Sequence, residues 1–119
     1  MSRRGERIGR AGESATLALY RGRGYRVVAR NWRTRIGELD LVLERDGTLI
    51  FCEVKTRSSR RLGGAYEGVT AAKRRKVRAL AEAFLLATGL DPRRCRFDVA
   101  SVALDRRGRP RVHLYEDAF

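Results

Sequence analysis

The chain has 119 residues and a formal net charge of +13 at pH 7, from 27 lysines and arginines against 14 aspartates and glutamates. This length predicts one domain, residues 1–119, that needs neither disulfides nor metal to fold. One histidine and two distant cysteines argue against a zinc site and against Ser-His or Cys-His catalysis. The basic N-terminus lacks an apolar run and predicts a cytoplasmic protein. The charge favours nucleic acid as partner, although solubility alone would also explain it.

The first predicted element is a helix over about residues 4–22, with Gly22 and Gly24 as stop signals. Glu13, Leu17 and Tyr20 recur at i, i+4 and i+7 and therefore share one side of this helix. Glu13 either faces inward beside two large apolar neighbours or is an exposed helix acid. A strand from Tyr25 to Arg33 follows.

A β-hairpin is predicted between Gly37 and Arg57. Two runs of alternating residues flank Asp46-Gly47, a pair typical of the two-residue type I′ turn, in which both central residues have φ > 0. With that turn, Arg45 faces Thr48. A three-residue bulged loop would shift the pairing by one residue.

This pairing predicts a group of charged side chains on one face of the hairpin. Counting back from the turn places Asp40 opposite Glu53 and Glu38 opposite Lys55, with Cβ atoms of each pair roughly 4.5–5.5 Å apart. Two carboxylates at that spacing can bind one hard cation. The alternative is a cross-strand charge network on an exposed face. Successive side chains alternate between faces, so the opposite face of the first strand takes Leu39, Leu41 and Leu43.

After a polar loop at Ser58–Gly64, expected to be mobile without ligand, a second helix is predicted between an N-cap at Thr70 and a stop at Gly89. Two strands follow, near Arg96–Leu104 and Arg111–Tyr115. The overall order is α-β-β-β-α-β-β. The buried stripe of the second helix is predicted to contain Val77, Leu80, Ala81, Phe84, Leu85 and Thr88.

The first turns of this helix are strongly basic. Cations there oppose the helix dipole, and bound phosphates would relieve that cost. A polyanion backbone is therefore the predicted occupant, and a solvated charged face is the alternative. The run consists of Lys73, Arg74, Arg75, Lys76 and Arg78.

These motifs together resemble the PD-(D/E)XK nuclease superfamily, whose site combines an acid on one strand with E-x-K on the next. They are closer still to the small YraN-like family of predicted bacterial endonucleases, related to archaeal Holliday junction resolvases. The similarity spans nearly the whole chain. It is carried by Gly12-Glu13, Gly24-Tyr25, Asn31-Trp32-Arg33, Gly37-Glu38-Leu39-Asp40, Glu53-Val54-Lys55-Thr56-Arg57, Val69-Thr70 with Lys73, and Arg96-Phe97-Asp98-Val99.

The resemblance implies a restriction-endonuclease-like α/β core, a mixed central sheet flanked by helices, and metal-dependent phosphodiester hydrolysis. It implies that Asp40 and Glu53 bind Mg²⁺ or Mn²⁺ together with the carbonyl of Val54. Lys55 would hold the attacking water. Glu13 would add a ligand or hold water from the helix.

Several further expectations follow from the same resemblance. Glu38 is either a second acid of the site or a cross-strand partner of Lys55. Thr56 and Arg57 extend the site strand toward the polar loop, and this position predicts contact with phosphate. DNA, including branched DNA, is the expected substrate, and a homodimer is expected by analogy with the resolvases. The alternative function is a module of the same fold that binds nucleic acid without cutting it. For Asp98 the sequence favours a structural role.

Overall fold

The helices and strands follow one another in the predicted order, α-β-β-β-α-β-β. The structure, a computed structural model, describes residues 3–57 and 69–119, with side chains from residue 8 onward. The predicted loop Ser58–Gly64 lies outside the described residues. The helices are α1 (Arg3–Gly22) and α2 (Ala71–Thr88), and the strands are β1 (Arg26–Thr34), β2 (Gly37–Arg45), β3 (Thr48–Arg57), β4 (Arg94–Leu104) and β5 (Pro110–Tyr115).

The strands form one mixed sheet in the order β1-β2-β3-β4-β5. β3 and β4 are parallel, whereas the other neighbouring pairs are antiparallel. A parallel pair needs a crossover connection, and α2 lies within it. The predicted class, an α/β fold with a mixed sheet and two flanking helices, is confirmed.

Each face of the sheet carries its own apolar cluster. The cluster under α1 contains Leu17, Tyr20, Leu41, Leu43, Ile50, Cys52 and Ala100. The cluster under α2 contains Leu39, Val42, Leu49, Phe51, Val77, Leu80, Ala81, Phe84 and Phe97. The predicted stripe of α2 is confirmed except at its end. Thr88 is exposed, because it lies in the last turn, where its hydroxyl donates to the Phe84 carbonyl at 2.8 Å.

The local signals for turns and caps are also confirmed. Asp46 and Gly47 have φ values of 50° and 82°, and Arg45 pairs with Thr48, as a two-residue type I′ turn requires. The Thr70 side chain accepts a hydrogen bond from the Lys73 amide, and Gly89 ends the helix at a φ of 73°.

Asp98 of β4 has the structural role that its sequence context favoured. It is fully buried, and the Tyr20 hydroxyl donates to it at 2.6 Å. Arg96 donates through two N–H groups at 2.9 Å, and the Asp117 amide donates at 2.9 Å. A buried carboxylate with this many donors ties α1 and the C-terminal segment to the sheet.

Of the two cysteines, Cys52 is buried, Cys95 is exposed, and both are free thiols.

No helix within residues 3–57 and 69–119 is both long enough and apolar enough to cross a membrane.

Candidate metal centre

The sheet splits between its two central hairpin strands. Pairing of β2 with β3 runs from Arg45–Thr48 to Leu41–Cys52 and stops there. Beyond that point β2 remains paired with β1 as far as Gly37, and β3 remains paired with β4 as far as Arg57. Residues 37–40 and 53–57 therefore form the two arms of a fork. The predicted pairs Asp40–Glu53 and Glu38–Lys55 lie beyond the last regular pair.

The fork changes which face some side chains take. Leu41 and Leu43 are two residues apart and both lie in the cluster under α1, as expected in a regular strand. Leu39 lies in the cluster under α2. The prediction that all three share a face is therefore wrong for Leu39. The alternation holds only while the strand keeps its regular pleat. On the adjacent strand Asn31, between the paired residues Arg30 and Trp32, has a left-handed φ of 53° and departs from extended backbone.

Asp40 lies inside the fork. Its Oδ2 accepts a hydrogen bond from the Val54 amide at 2.8 Å, so a side chain takes the place of a neighbouring strand. Burial raises the pKa of Asp40 to about 7, and repulsion from Glu53, Glu13 and Glu38 adds to this, while the Val54 hydrogen bond opposes it. Asp40 therefore lies where a negative charge is costly without a cation.

Glu13 of α1 and Glu38 of β2 complete a carboxylate cluster with Asp40. One oxygen from each of the three side chains lies within 4.8 Å of the others. Asn31 links two of them, because its Nδ2 donates to both oxygens of Glu13 at 3.1 Å and to Glu38 Oε1 at 2.8 Å. Hard divalent cations such as Mg²⁺ and Mn²⁺ prefer carboxylate oxygens. The donor set fits such a cation, which would also relieve the repulsion around Asp40.

Glu13 reaches the fork because α1 packs very closely on β3. A Cβ added at Gly12 would overlap the Oγ1 of Thr56. The Thr16 hydroxyl donates to the Gly12 carbonyl at 2.8 Å within the same buried turn. Of the two readings that the sequence left open for Glu13, the inward one is confirmed, since its side chain is only 13% exposed.

We expect Gly12→Ala to push α1 away from β3 and to misplace Glu13. Overpacking at such a site costs about 1–3 kcal/mol, so both the melting temperature and the affinity for Mg²⁺ should fall. Thermal unfolding with and without Mg²⁺ measures both effects. Gly9→Ala is the matched control, because a Cβ at Gly9 meets nothing within 4 Å and alanine favours a helix. Equal melting temperatures for the two variants would contradict the close packing at Gly12.

Glu53, which the hairpin register placed opposite Asp40, forms an ion pair with Lys73 of α2. It is 6% exposed, and its Oε1 lies 2.9 Å from the Nζ of Lys73 in the first turn of α2. Burial lowers the pKa of Lys73, but the hydrogen bond and the charge of Glu53, together with the charge of Asp40, outweigh burial and raise it. Lys55 forms no ion pair with a carboxylate of the described residues. Lys73, and not Lys55, is therefore the lysine that contacts the buried carboxylate of Glu53.

The other predicted nucleic-acid contacts differ in their surroundings. Arg78 lies over the Phe97 ring, with its guanidinium carbon 4.6 Å from the centroid, and Arg74 lies over Phe119 at 5.8 Å. Thr56 packs against Gly12. Four of the predicted contacts are exposed: Arg57, Arg75, Lys76 and Arg78.

β1 contributes residues that were not predicted as part of the site. Asn31 bridges Glu13 and Glu38, the Nε of Arg30 lies 3.6 Å from Glu13 Oε1, and the Nε of Arg33 lies 2.9 Å from Glu38 Oε2. Asparagine is depleted in strands and tolerates positive φ. The asparagine in the middle of the predicted strand was therefore the sequence signal that could have indicated that β1 contributes to the site.

Fold and site together define an α/β protein with a mixed five-stranded sheet and a carboxylate cluster suited to a divalent cation. A family model described as "Uncharacterised protein family UPF0102" matches residues 12–102. The chain belongs to this family. The matched residues include Glu13, Asn31, the arms of the fork and Lys73.

Relatives with the same family name cover nearly the whole chain. A UPF0102 protein of Symbiobacterium thermophilum is 47% identical over 113 residues, which cover 95% of this chain and 96% of that protein. One from Moorella thermoacetica is 45% identical over 109 residues, covering 92% and 89%. One from Desulforapulum autotrophicum is 39% identical over 119 residues, covering 100% and 98%. These names state no activity.

Proposed function

We propose that this protein is a metal-dependent nuclease that hydrolyses phosphodiester bonds, with DNA as its expected substrate and a restriction-endonuclease-like core. The observation that carries the proposal is the cluster of Glu13, Glu38 and Asp40, whose oxygens lie within 4.8 Å of one another. Three acids so close together in a chain of net charge +13 are unfavourable for phosphate binding unless a cation is present. The resemblance to PD-(D/E)XK nucleases points the same way.

The proposed cofactor is Mg²⁺ or Mn²⁺, held by Asp40, Glu13 and Glu38. When bound, such a cation neutralises charge on the scissile phosphate and lowers the pKa of bound water. Asp40 keeps its Oδ2 on the Val54 amide at 2.8 Å, which leaves Oδ1 to bind the cation. A ligand oriented in this way by the backbone loses little side-chain entropy on binding.

Two lysines are candidates for contact with the scissile phosphate or the attacking water. Lys55 lies on the β3 arm of the fork, at the position where the E-x-K pattern places the residue that orients water. Lys73 reaches Glu53 from α2. A positioned ammonium beside the reacting phosphate stabilises its developing charge and orients the nucleophile.

One observation favours a second candidate, a module that binds nucleic acid without cutting it. Glu53, the acid of the E-x-K pattern, is held in an ion pair with Lys73 at 2.9 Å and lies outside the cluster of Glu13, Glu38 and Asp40. An acid already neutralised by a lysine is a weaker ligand for a cation.

The two candidates differ in whether a bond is cut. Duplex, single-stranded, flapped and four-way-junction DNA would each be incubated with the protein in Mg²⁺ or Mn²⁺. We expect cleavage of at least one substrate, and a loss of at least about 100-fold in Asp40→Asn and in Lys55→Gln. Asp46→Asn is the matched control, because it changes a carboxyl group that is 90% exposed at the far end of the same hairpin.

Binding measured in parallel separates the outcomes. If DNA is bound but no substrate is cut in either metal, the nuclease proposal is wrong and the binding module replaces it. If Asp40→Asn cuts as fast as the parent, the activity does not come from the fork.

A further inference from the structure

Three acids of the site each form an ion pair with a basic side chain. Glu13 is paired with Arg30 at 3.6 Å, Glu38 with Arg33 at 2.9 Å, and Glu53 with Lys73 at 2.9 Å. In every pair the basic side chain is the more exposed one. The exposed fractions are 34% against 13%, 78% against 31%, and 38% against 7%. An inner layer of acids is thus covered by an outer layer of cations.

In the absence of a metal, these pairs restrain cations that would otherwise bind phosphate. The charge of a guanidinium that is paired with a carboxylate is partly neutralised, so the guanidinium attracts a phosphate less strongly. The pair of Arg33 with Glu38 shows this most clearly, because the guanidinium is largely in solvent while its Nε is held by the carboxylate.

A divalent cation in the fork would compete with these basic side chains. Glu38 and Glu13 would give their oxygens to the cation, so their attraction for Arg33 and Arg30 would fall. The guanidinium of Arg33 would then be available on the solvent side of the site, whereas Arg30 would still donate through its Nη2 to the Ser14 hydroxyl at 3.0 Å and to the Arg10 carbonyl at 3.3 Å. The planar donor geometry of Arg33 matches phosphate.

We propose that Arg33 is a phosphate ligand that becomes available when a divalent cation binds, so that cation and nucleic acid bind cooperatively. This inference rests on the proposed function of the fork as a cation site. It adds an exchange of partners, in which Glu38 releases Arg33 and binds the cation, and Arg33 then binds a phosphate. Since the coupling between two sites is reciprocal, nucleic acid should raise the affinity for the cation by the same factor.

The experiment measures the affinity of the full chain for a labelled DNA duplex by fluorescence anisotropy, in EDTA and in Ca²⁺ at matched ionic strength. Ca²⁺ takes the same oxygen ligands as Mg²⁺. We expect Ca²⁺ to strengthen binding roughly tenfold, within the usual range for coupled sites. Isothermal titration with Ca²⁺ alone gives the affinity of the metal site without DNA.

Arg33→Gln and Arg35→Gln are a matched pair, because each removes one positive charge from the same end of the β1–β2 hairpin. Arg35 is exposed and has no carboxylate partner among the described residues. Arg35→Gln should weaken DNA binding equally in EDTA and in Ca²⁺, about two- to threefold. Arg33→Gln should leave binding in EDTA nearly unchanged, reduce the gain from Ca²⁺ to less than about threefold, and tighten Ca²⁺ binding alone, because Glu38 has lost a competitor.

The outcomes separate this inference from the proposed function. If Ca²⁺ binds but DNA affinity is the same in both buffers, or if the two variants behave alike, the exchange is wrong and the nuclease proposal stands. If isothermal titration detects binding of neither Ca²⁺ nor Mg²⁺, both are wrong. If coupling is found but no substrate is ever cut, only the nuclease proposal fails.

Discussion

Replacing Asp40 with asparagine is expected to stabilise the metal-free protein at pH 8 and to remove its stabilisation by Mg²⁺. Asparagine keeps the shape of the side chain and an oxygen that can accept the Val54 N–H, but it carries no charge. The charge is unfavourable because burial, and then repulsion from Glu53, raises the pKa of Asp40 to about 7. We expect the melting temperature of the metal-free variant to rise by about 4–8 °C, corresponding to roughly 1–2 kcal/mol.

The sign of the pH dependence follows from the raised pKa. The carboxyl group titrates near 3.8 in the unfolded chain and near 7 in the folded protein. Between these pH values the folded protein binds the proton more tightly, so stability falls as pH rises from about 4 to about 7. The advantage of Asp40→Asn should therefore be large at pH 8 and small near pH 4.

Stabilisation of the parent protein by Mg²⁺ should increase as pH rises, whereas the stability of the metal-free protein should decrease. Below pH 7 the cation has to displace a proton from Asp40, so its apparent affinity should fall by about tenfold per pH unit. Thermal unfolding at pH 5.5, 7 and 8.5, with and without Mg²⁺, measures both trends. Asp46→Asn should follow the parent at every pH. Stabilisation of Asp40→Asn by Mg²⁺ equal to that of the parent would place the cation elsewhere.

The second large effect is expected at Asn31. Asn31→Gly should lower the affinity for Mg²⁺ or Mn²⁺ by about 10- to 100-fold, the usual cost of losing a residue that orients metal ligands. The reason is that one amide group holds Glu13 and Glu38 together, through contacts of 2.8–3.1 Å. Isothermal titration well below the melting temperature separates this loss from any loss of stability.

Asn31→Ala separates the role of the amide from that of the backbone. Asn31 has a φ of 53°, which glycine adopts freely and which costs alanine about 1–2 kcal/mol. Both variants lose the amide, so both should bind metal weakly, but the alanine variant should unfold more easily than the glycine variant. If Asn31→Gly keeps the parent's affinity, the asparagine serves only the backbone conformation.

The sequence predicted the elements and the turn well because their signals are local. Asp46-Gly47 fixed the hairpin register, and Thr70 and Gly89 marked the ends of α2, each through its own backbone or side-chain geometry. The spacing of Glu13 with Leu17 and Tyr20 left an inward and an exposed position open, and the structure shows the inward one. Such features depend on a few neighbouring residues and need no knowledge of the rest of the fold.

The detail of the site was predicted less well because it depends on contacts distant in sequence. Strict alternation assumes that β2 and β3 stay paired, whereas their pairing ends at Leu41–Cys52. The partner of Glu53 is Lys73 from the crossover helix, and no spacing rule along the hairpin points to it. Side-chain competition for the same acids is decided only when α1, β1 and α2 are assembled around the fork.

The hydrogen bond from Val54 to Asp40 has a consequence for spectroscopy. Because a backbone amide donates directly to the carboxylate at 2.8 Å, the chemical shift of that single proton depends on the charge the carboxylate carries. Protonation or metal binding at Asp40 would withdraw electron density from the acceptor and move the resonance. The sheet thus contains its own reporter nucleus, and the occupancy of the site can be followed by NMR without any substrate or chemical label.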